Sequence, residues 1–246
     1  MGVKGHTSEP VALPAVRGVL FDVDGTLYHQ QPLRAFMAAE LAAAPFILGS
    51  VVRARTLARV LRAYRCAQEQ LREAPANEHS IASLQISLTA KLTGVGESEV
   101  ARVVAEWMGS RPLRYLRLCR RAGLLALLER LQRRDIRLGV LSDYPCESKL
   151  DALGLASHFA PILCAADPHI NVFKPNPRGF LRACELWGIS PGEVLYVGDR
   201  PDVDGQGARA AGMRCVIVGR IRGRDKNAAT HVAPRLEDVA QFIGVG

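Results

Sequence analysis

The sequence predicts an α/β fold in which a Rossmann-like parallel sheet is flanked by helices and interrupted by an inserted all-helical segment. Short apolar runs alternate with helical patterns along the chain, as in sheets whose crossovers are helices. These runs are residues 16–23, 136–141, 161–164, 194–197 and 215–218. More than a hundred residues separate the first run from the second, far more than one crossover helix needs.

The long segment between the first two runs has helical periodicity. Apolar residues recur at helical spacing in two stripes, which we interpret as packing faces: Leu57, Val60, Leu61, Tyr64 and Leu71, then Val100, Val103, Val104 and Trp107. Breaker residues predict turns at Gln30–Pro32 and at Gly109–Pro112. The predicted domains are a flexible leader (1–15), an α/β core (16–30 and 112–246) and a helical domain between them (31–111).

Two further elements are expected in the core. The segment Arg114–Arg134 is predicted to be the crossover helix into the second strand, with Leu124, Leu128 and Leu131 facing the sheet. Residues 221–229 form a polar, basic loop candidate whose function composition does not give.

Composition excludes several classes of protein. The six cysteines are scattered without a CxxC pair, which argues against a disulfide scaffold or structural zinc and favours a reducing, cytoplasmic setting. The first ten residues lack the apolar core of a secretory signal. The longest uncharged apolar run, Leu41–Val52, is shorter than the roughly 20 residues that span a bilayer. The formal charge of +8 is spread along the chain, which argues against nucleic acid as the partner.

Polar residues follow four of the five apolar runs, in the case of the third after two alanines. Asp22 and Asp24 follow the first run, Ser142 and Asp143 the second, Asp167 the third and Asp199 the fourth. Ligands of open α/β sheets bind at the carboxyl ends of the strands, so these side chains are expected to converge.

The pair Asp22 and Asp24 is the strongest local signal, because in a continuing strand the two carboxylates would share one face. Two neighbouring anions need a shared proton or a cation, and a hard divalent ion such as Mg²⁺ suits oxygen ligands. The alternative is an ordinary Asp-Gly turn without chemistry. In the same way, a lone Ser142 is usually a turn residue and a lone Lys174 a solvated charge.

From about Val16 onward the chain resembles the haloacid dehalogenase superfamily, whose four motifs occur in the expected order. The DxDGT motif matches 22–26, the second motif Gly139–Ser142, the third Lys174 before a proline-started helix, and the fourth Gly198–Asp204. The resemblance implies Asp22 as nucleophile, Asp24 as general acid/base, and Ser142 and Lys174 as phosphoryl ligands. It also implies Mg²⁺ bound by Asp22, the Asp24 main-chain carbonyl and Asp199.

Two positions stay open within this resemblance. The second acid of the fourth motif is Asp202 or Asp204, and the family's GDxxxxD spacing favours Asp204 in a supporting or water-mediated contact to the metal. Asp202 is then expected to cap the following helix. Asp143 stands where many relatives have Asn, which leaves its contact undetermined. Tyr28, His29 and Gln30 are given no role.

The resemblance implies a Mg²⁺-dependent phosphatase that hydrolyses a small phosphate monoester through an aspartyl-phosphate. Residues 31–111 would be the family's helical C1 cap, closing over the site. Haloacid dehalogenases proper lack the second aspartate, so phosphoryl chemistry is favoured. The alternatives are a phosphomutase acting on a sugar phosphate and a catalytically silent binding protein of the same fold. The sequence predicts a small phosphorylated metabolite as partner and gives no oligomeric state.

Overall fold

A six-stranded parallel sheet lies at the centre of the computed structural model, which describes residues 15–47, 49–73, 79–219 and 231–243. The strand order is β3-β2-β1-β4-β5-β6. The strands are β1 Gly18–Phe21, β2 Arg137–Ser142, β3 Ile162–Cys164, β4 Val194–Gly198, β5 Arg214–Val218 and β6 His231–Ala233. The first five lie at the predicted runs, which confirms the fold class. The sixth, β6, was not predicted, because only two of its three residues, Val232 and Ala233, are apolar.

Helices cover both faces of the sheet, which explains why its central strands are apolar along their whole length. The helices of the core are α6 Leu124–Gln132, α7 Glu147–Leu153, α8 Arg178–Trp187 and α9 Gln206–Ala210. The predicted trio Leu124, Leu128 and Leu131 is buried against the sheet face that carries Val19 and Phe21. Helix α8 packs on the opposite face.

Helices fill the described part of the interval between β1 and β2, as predicted, and five of them precede the core helix α6. They are α1 Gln30–Ile47, α2 Val51–Arg72, α3 Ile81–Thr93, α4 Glu97–Val104 and α5 Arg111–Cys119. Val60, Val100 and Trp107 from the two predicted stripes bury each other in one cluster, which confirms them as packing faces.

The ends of this helical insert differ from the expectation. Gln30 starts α1, and α4 continues through a π-helical turn (Ala105–Ser110) into α5, so the predicted turns at 30–32 and 109–112 are wrong. The prolines mislead because Pro32 lies in the first turn of α1, where a missing N–H costs nothing, and Pro112 is accommodated directly after the π-helical turn. The division into separate domains at residues 31 and 111 stays a prediction.

The single crossover helix predicted over 114–134 is also wrong. Helix α5 ends at Cys119 and α6 starts at Leu124, because Arg120 is extended and Gly123 adopts a left-handed φ of +73°. In the gap, Arg120 pairs with Tyr28 in an antiparallel bridge. The chain therefore enters and leaves the inserted helices side by side.

The leader, apart from residue 15, and the basic loop at 221–229 fall outside the described residues. Within the described part of the chain, none of the helices has both the length and the apolar character needed to cross a bilayer.

Candidate active site

The chain turns sharply where β1 ends, at the carboxyl edge of the sheet. The Asp22 N–H continues the ladder by donating to the Val197 carbonyl at 2.8 Å, while residues 24–27 form a turn. The predicted shared strand face is therefore wrong, because the strand stops at Phe21. Gly25 has a φ of +99°, and a Cβ there would lie 2.7 Å from the Asp199 Cγ. The Asp-Gly turn and the acidic site are thus one structure, which only glycine permits.

A cavity of about 1430 Å³ lies between this edge of the sheet and the helical insert. Of the predicted site residues, Asp22, Asp24, Lys174, Asp199 and Asp204 line it. The insert supplies the opposite wall, which includes Met37, Leu61, Arg62, Arg65, Gln68, Arg72 and Trp107. The convergence expected of the strand ends thus holds for these acids. It fails for Asp167, which is not among the lining residues and accepts the Cys164 N–H at 2.9 Å.

Three lining acids could hold a metal ion. One carboxylate oxygen from each of Asp22, Asp199 and Asp204 lies within 4.8 Å of the others. Burial, with Asp204 nearby, raises the pKa of Asp199 to about 7, and burial raises the pKa of Asp22 well above its usual value. Among the described residues, no group donates a hydrogen bond to the Asp199 carboxylate. A nearby divalent cation would stabilise the charged form of carboxylates whose pKa is raised by burial and by one another. Their hard oxygens suit Mg²⁺.

Lys174 is buried at the centre of this cluster, immediately before the 175–177 turn that leads into α8. Its Nζ donates to Asp22 Oδ1 at 2.6 Å, to Asp204 Oδ1 at 2.7 Å and to the Tyr196 hydroxyl at 3.0 Å. Burial lowers the pKa of Lys174, but the carboxylates of Asp204 and Asp22 outweigh burial and hold it well above its usual value. The lysine is therefore a fixed cation that joins the end of β1 to the helical turn after β4.

Asp204 is the buried acid of the fourth motif. Its Oδ1 accepts Lys174, and its Oδ2 accepts the backbone N–H groups of Asp199 and Arg200 at 3.1 and 3.0 Å. Asp202 instead pairs with the Arg200 guanidinium at the surface, so the expectation that Asp202 caps the next helix is wrong. With both oxygens already accepting hydrogen bonds, Asp204 orients Lys174 and the loop that carries Asp199.

Asp24 has partners that its sequence motif does not predict. Lys149 Nζ lies 2.6 Å from its Oδ1 and 2.7 Å from its Oδ2, and the Tyr28 hydroxyl donates to Oδ1. Burial raises the pKa of Asp24, but the Lys149 charge and these hydrogen bonds outweigh it and lower the pKa. The Asp24 carbonyl accepts the Gln30 side-chain amide at 2.8 Å. The one available signal for Lys149 was the scarcity of lysine, five in the whole chain.

The end of β2 carries Ser142 and Asp143. Ser142 is buried, is not among the residues lining the cavity, and accepts the Tyr144 N–H at 3.2 Å, so its predicted phosphoryl contact stays a prediction. Asp143 accepts Arg72 of the insert at 2.8 Å and the Lys174 N–H at 3.1 Å. The residue that departs from the family pattern therefore joins the helical insert to the core.

Solved structures share this architecture. A HAD phosphatase from Thermococcus onnurineus is 26% identical, with a TM-score of 0.62 over 93% of this chain and 98% of that one. An L-2-haloacid dehalogenase from Xanthobacter autotrophicus, 20% identical, has a TM-score of 0.63 over the same shares, which shows the fold alone.

Several phosphatases are similar to this chain in sequence. A glyceraldehyde 3-phosphate phosphatase from Methanopyrus kandleri is 29% identical over 85% of this chain and 87% of its own length. A phosphoglycolate phosphatase from Escherichia coli K12 is 28% identical over 85% and 82%. A phosphoserine phosphatase from Thermus thermophilus is 37% identical, but the match spans only 42% of this chain and 43% of that enzyme. The family model of haloacid dehalogenase-like hydrolases matches residues 16–212. The chain therefore belongs to the haloacid dehalogenase-like hydrolase family.

Proposed function

We propose that the protein is a Mg²⁺-dependent phosphatase that hydrolyses a small phosphate monoester through an aspartyl-phosphate on Asp22. The enzyme class follows from the family and from relatives that are phosphatases over most of the chain: it is a phosphoric monoester hydrolase. The observation that carries the mechanism is the acidic cluster around Lys174, of which Asp22 is a member. This arrangement supports a carboxylate that accepts phosphorus beside a cation that neutralises the incoming oxygens.

In the first step, a carboxylate oxygen of Asp22 attacks phosphorus and the bond from phosphorus to the substrate alcohol breaks. Asp24, two residues along the turn, gives its proton to the departing oxygen. The lowered pKa keeps Asp24 ionised in the free protein. The negative charge of an incoming phosphate dianion would raise the pKa of Asp24 and favour its protonated form.

In the second step, water attacks phosphorus of the aspartyl-phosphate. Asp24, ionised after the first step, accepts the proton of that water, and the bond from phosphorus to Asp22 breaks to release phosphate. The hydrogen bonds to Asp24 from Lys149 and Tyr28 favour the ionised form, which suits a base. Asp24 must therefore reach the leaving-group oxygen in the first step and the attacking water in the second step from the same position.

Mg²⁺ would be held by Asp22, Asp199 and the Asp24 main-chain carbonyl, with Asp204 in support, and would offset the repulsion between Asp22 and the phosphate. Lys174 binds a phosphoryl oxygen from the other side, and we assign the same task to the Ser142 hydroxyl. Its oxygen accepts the Tyr144 N–H, and within the described part of the chain its own proton has no acceptor.

The helical insert would act as the cap of the site. Arg72 of α2 meets Asp143, and Arg200 of the core meets Glu69 of α2 at 3.1 Å, so the insert is held directly above the acidic cluster. A wall of this kind excludes bulk water and admits small molecules. We therefore propose a small phosphorylated metabolite as substrate. We place the enzyme in the cytoplasm, a setting that its six free cysteines support.

The test is turnover of p-nitrophenyl phosphate with Mg²⁺ and with EDTA. The wild type should turn over substrate only with Mg²⁺, and Asp22→Asn should lose activity because an amide cannot accept phosphorus. Asp202→Asn is the matched control, since Asp202 lies at the surface in an ion pair with Arg200. Equal rates for wild type and Asp22→Asn would refute the proposal. Phosphate transfer to a sugar phosphate in place of water would make the protein a mutase instead.

A further inference from the structure

Lys149 is a buried cation in direct contact with Asp24, the acid and base of the proposed reaction. It lies in the first turn of α7, and its side chain is 11% exposed. Its ammonium donates to both oxygens of Asp24, at 2.6 and 2.7 Å. Removing an ammonium group from water is costly unless a partner compensates. In the described part of the chain, Asp24 is the only side chain that pairs with it.

The position of α7 does not depend on this ion pair. Leu150 and Leu153 of the same helix are completely buried in the core. A buried ion pair adds little net stability compared with apolar residues of similar volume, so anchoring of α7 is a weak explanation for Lys149. The hydrogen bonds of Lys149 instead restrict Asp24. This residue lies in a turn just after Val23, where its side chain could otherwise rotate.

Accepting the proposed function, we propose that Lys149 is a positioning residue that fixes the orientation in which Asp24 meets the leaving-group oxygen. Two hydrogen bonds from one ammonium hold both carboxylate oxygens at once, and the Tyr28 hydroxyl binds Oδ1 from α1's side of the turn. The Asp24 plane is thereby fixed against rotation. Displacing a catalytic group by about 1 Å can cost roughly 100-fold in rate, so the loss of such a hold is measurable.

The experiment measures release of the leaving group in a single turnover, with enzyme in excess and Mg²⁺ present. Phosphoglycolate has an alkoxide leaving group that needs a proton, whereas p-nitrophenolate departs without one. Lys149→Met should slow glycolate release by about 100-fold but p-nitrophenolate release by less than about 5-fold. Lys149→Arg keeps a cation near Asp24 and should give an intermediate rate. Lys91→Met, an exposed lysine in α3, is the matched control and should change neither rate.

A second comparison separates positioning from a purely structural role. In the Asp24→Asn background there is no acid left to orient, so adding Lys149→Met should cost less than about 3-fold more. A misfolded variant would instead release both leaving groups more slowly by the same factor, and it would lose further activity in the Asp24→Asn background. Either of these two results would overturn the proposal. If the wild type turns over neither ester, the proposed function itself fails, and the two failures are therefore distinguishable.

Discussion

Replacing Lys174 by Met should lower both the activity and the stability of the protein. The contacts of the Lys174 ammonium give the expected loss of stability. The ammonium is within 3.0 Å of three groups, the Asp22 and Asp204 carboxylates and the Tyr196 hydroxyl, and its side chain is 5% exposed. Removing one partner from a buried ion pair costs about 3–5 kcal/mol, because the other charge is left uncompensated. The free energy of unfolding of Lys174→Met should therefore fall by about this amount at neutral pH.

Urea denaturation in EDTA and in Mg²⁺ measures this loss. Lys91→Met, at an exposed helical position, should stay within about 0.5 kcal/mol of wild type. The loss in Lys174→Met should be larger in EDTA, since a bound divalent cation offsets the same carboxylates. A loss below about 1 kcal/mol in EDTA would show that Lys174 does not compensate these buried carboxylates, because a buried uncompensated charge should cost several times more.

Three further outcomes are expected. Gly25→Ala should abolish turnover and cost about 2 kcal/mol or more by urea denaturation, because φ is +99° and the added Cβ would overlap the Asp199 carboxylate. Arg72→Ala should raise KM more than it lowers kcat, because Asp143 loses its bond to the insert; an unchanged KM would contradict this. Burial raises the pKa of Asp199 from 3.8 to about 7, so metal-free protein should lose thermal stability as pH rises through this range. Over the same range the increase in Tm caused by Mg²⁺ should grow, and an increase in Tm that does not depend on pH would contradict this expectation.

Asp22 and Asp199 could be predicted because each lies just after an apolar strand, and parallel strands bring their carboxyl ends together. Lys174 follows no strand directly and was identified by its place before a proline-started helix in the motif order of the family. The convergence expected from strand ends fails for Asp167. A backbone N–H three residues earlier captures its carboxylate, and short polar residues often bond locally in this way.

The partners of Asp24 could not be predicted, because they depend on how separate elements are oriented. Lys149 lies on a short helix whose phase relative to the turn is set by the packing of Leu150 and Leu153. The role of Asp143 depends on Arg72, 71 residues earlier in the inserted helices. The break near Arg120 was hidden because the apolar spacing continues through it, and only Gly123 marked it.

In the proposed mechanism, Asp22 accepts phosphorus while the surrounding acids and Lys174 balance the charge. Rapid acid quenching of the enzyme during turnover, followed by peptide mass spectrometry, would detect the aspartyl-phosphate. We expect a phosphoryl group on the peptide that carries Asp22, and none in Asp22→Asn. Steady turnover with no phosphorylated peptide, or with the phosphoryl group on another residue, would contradict the account.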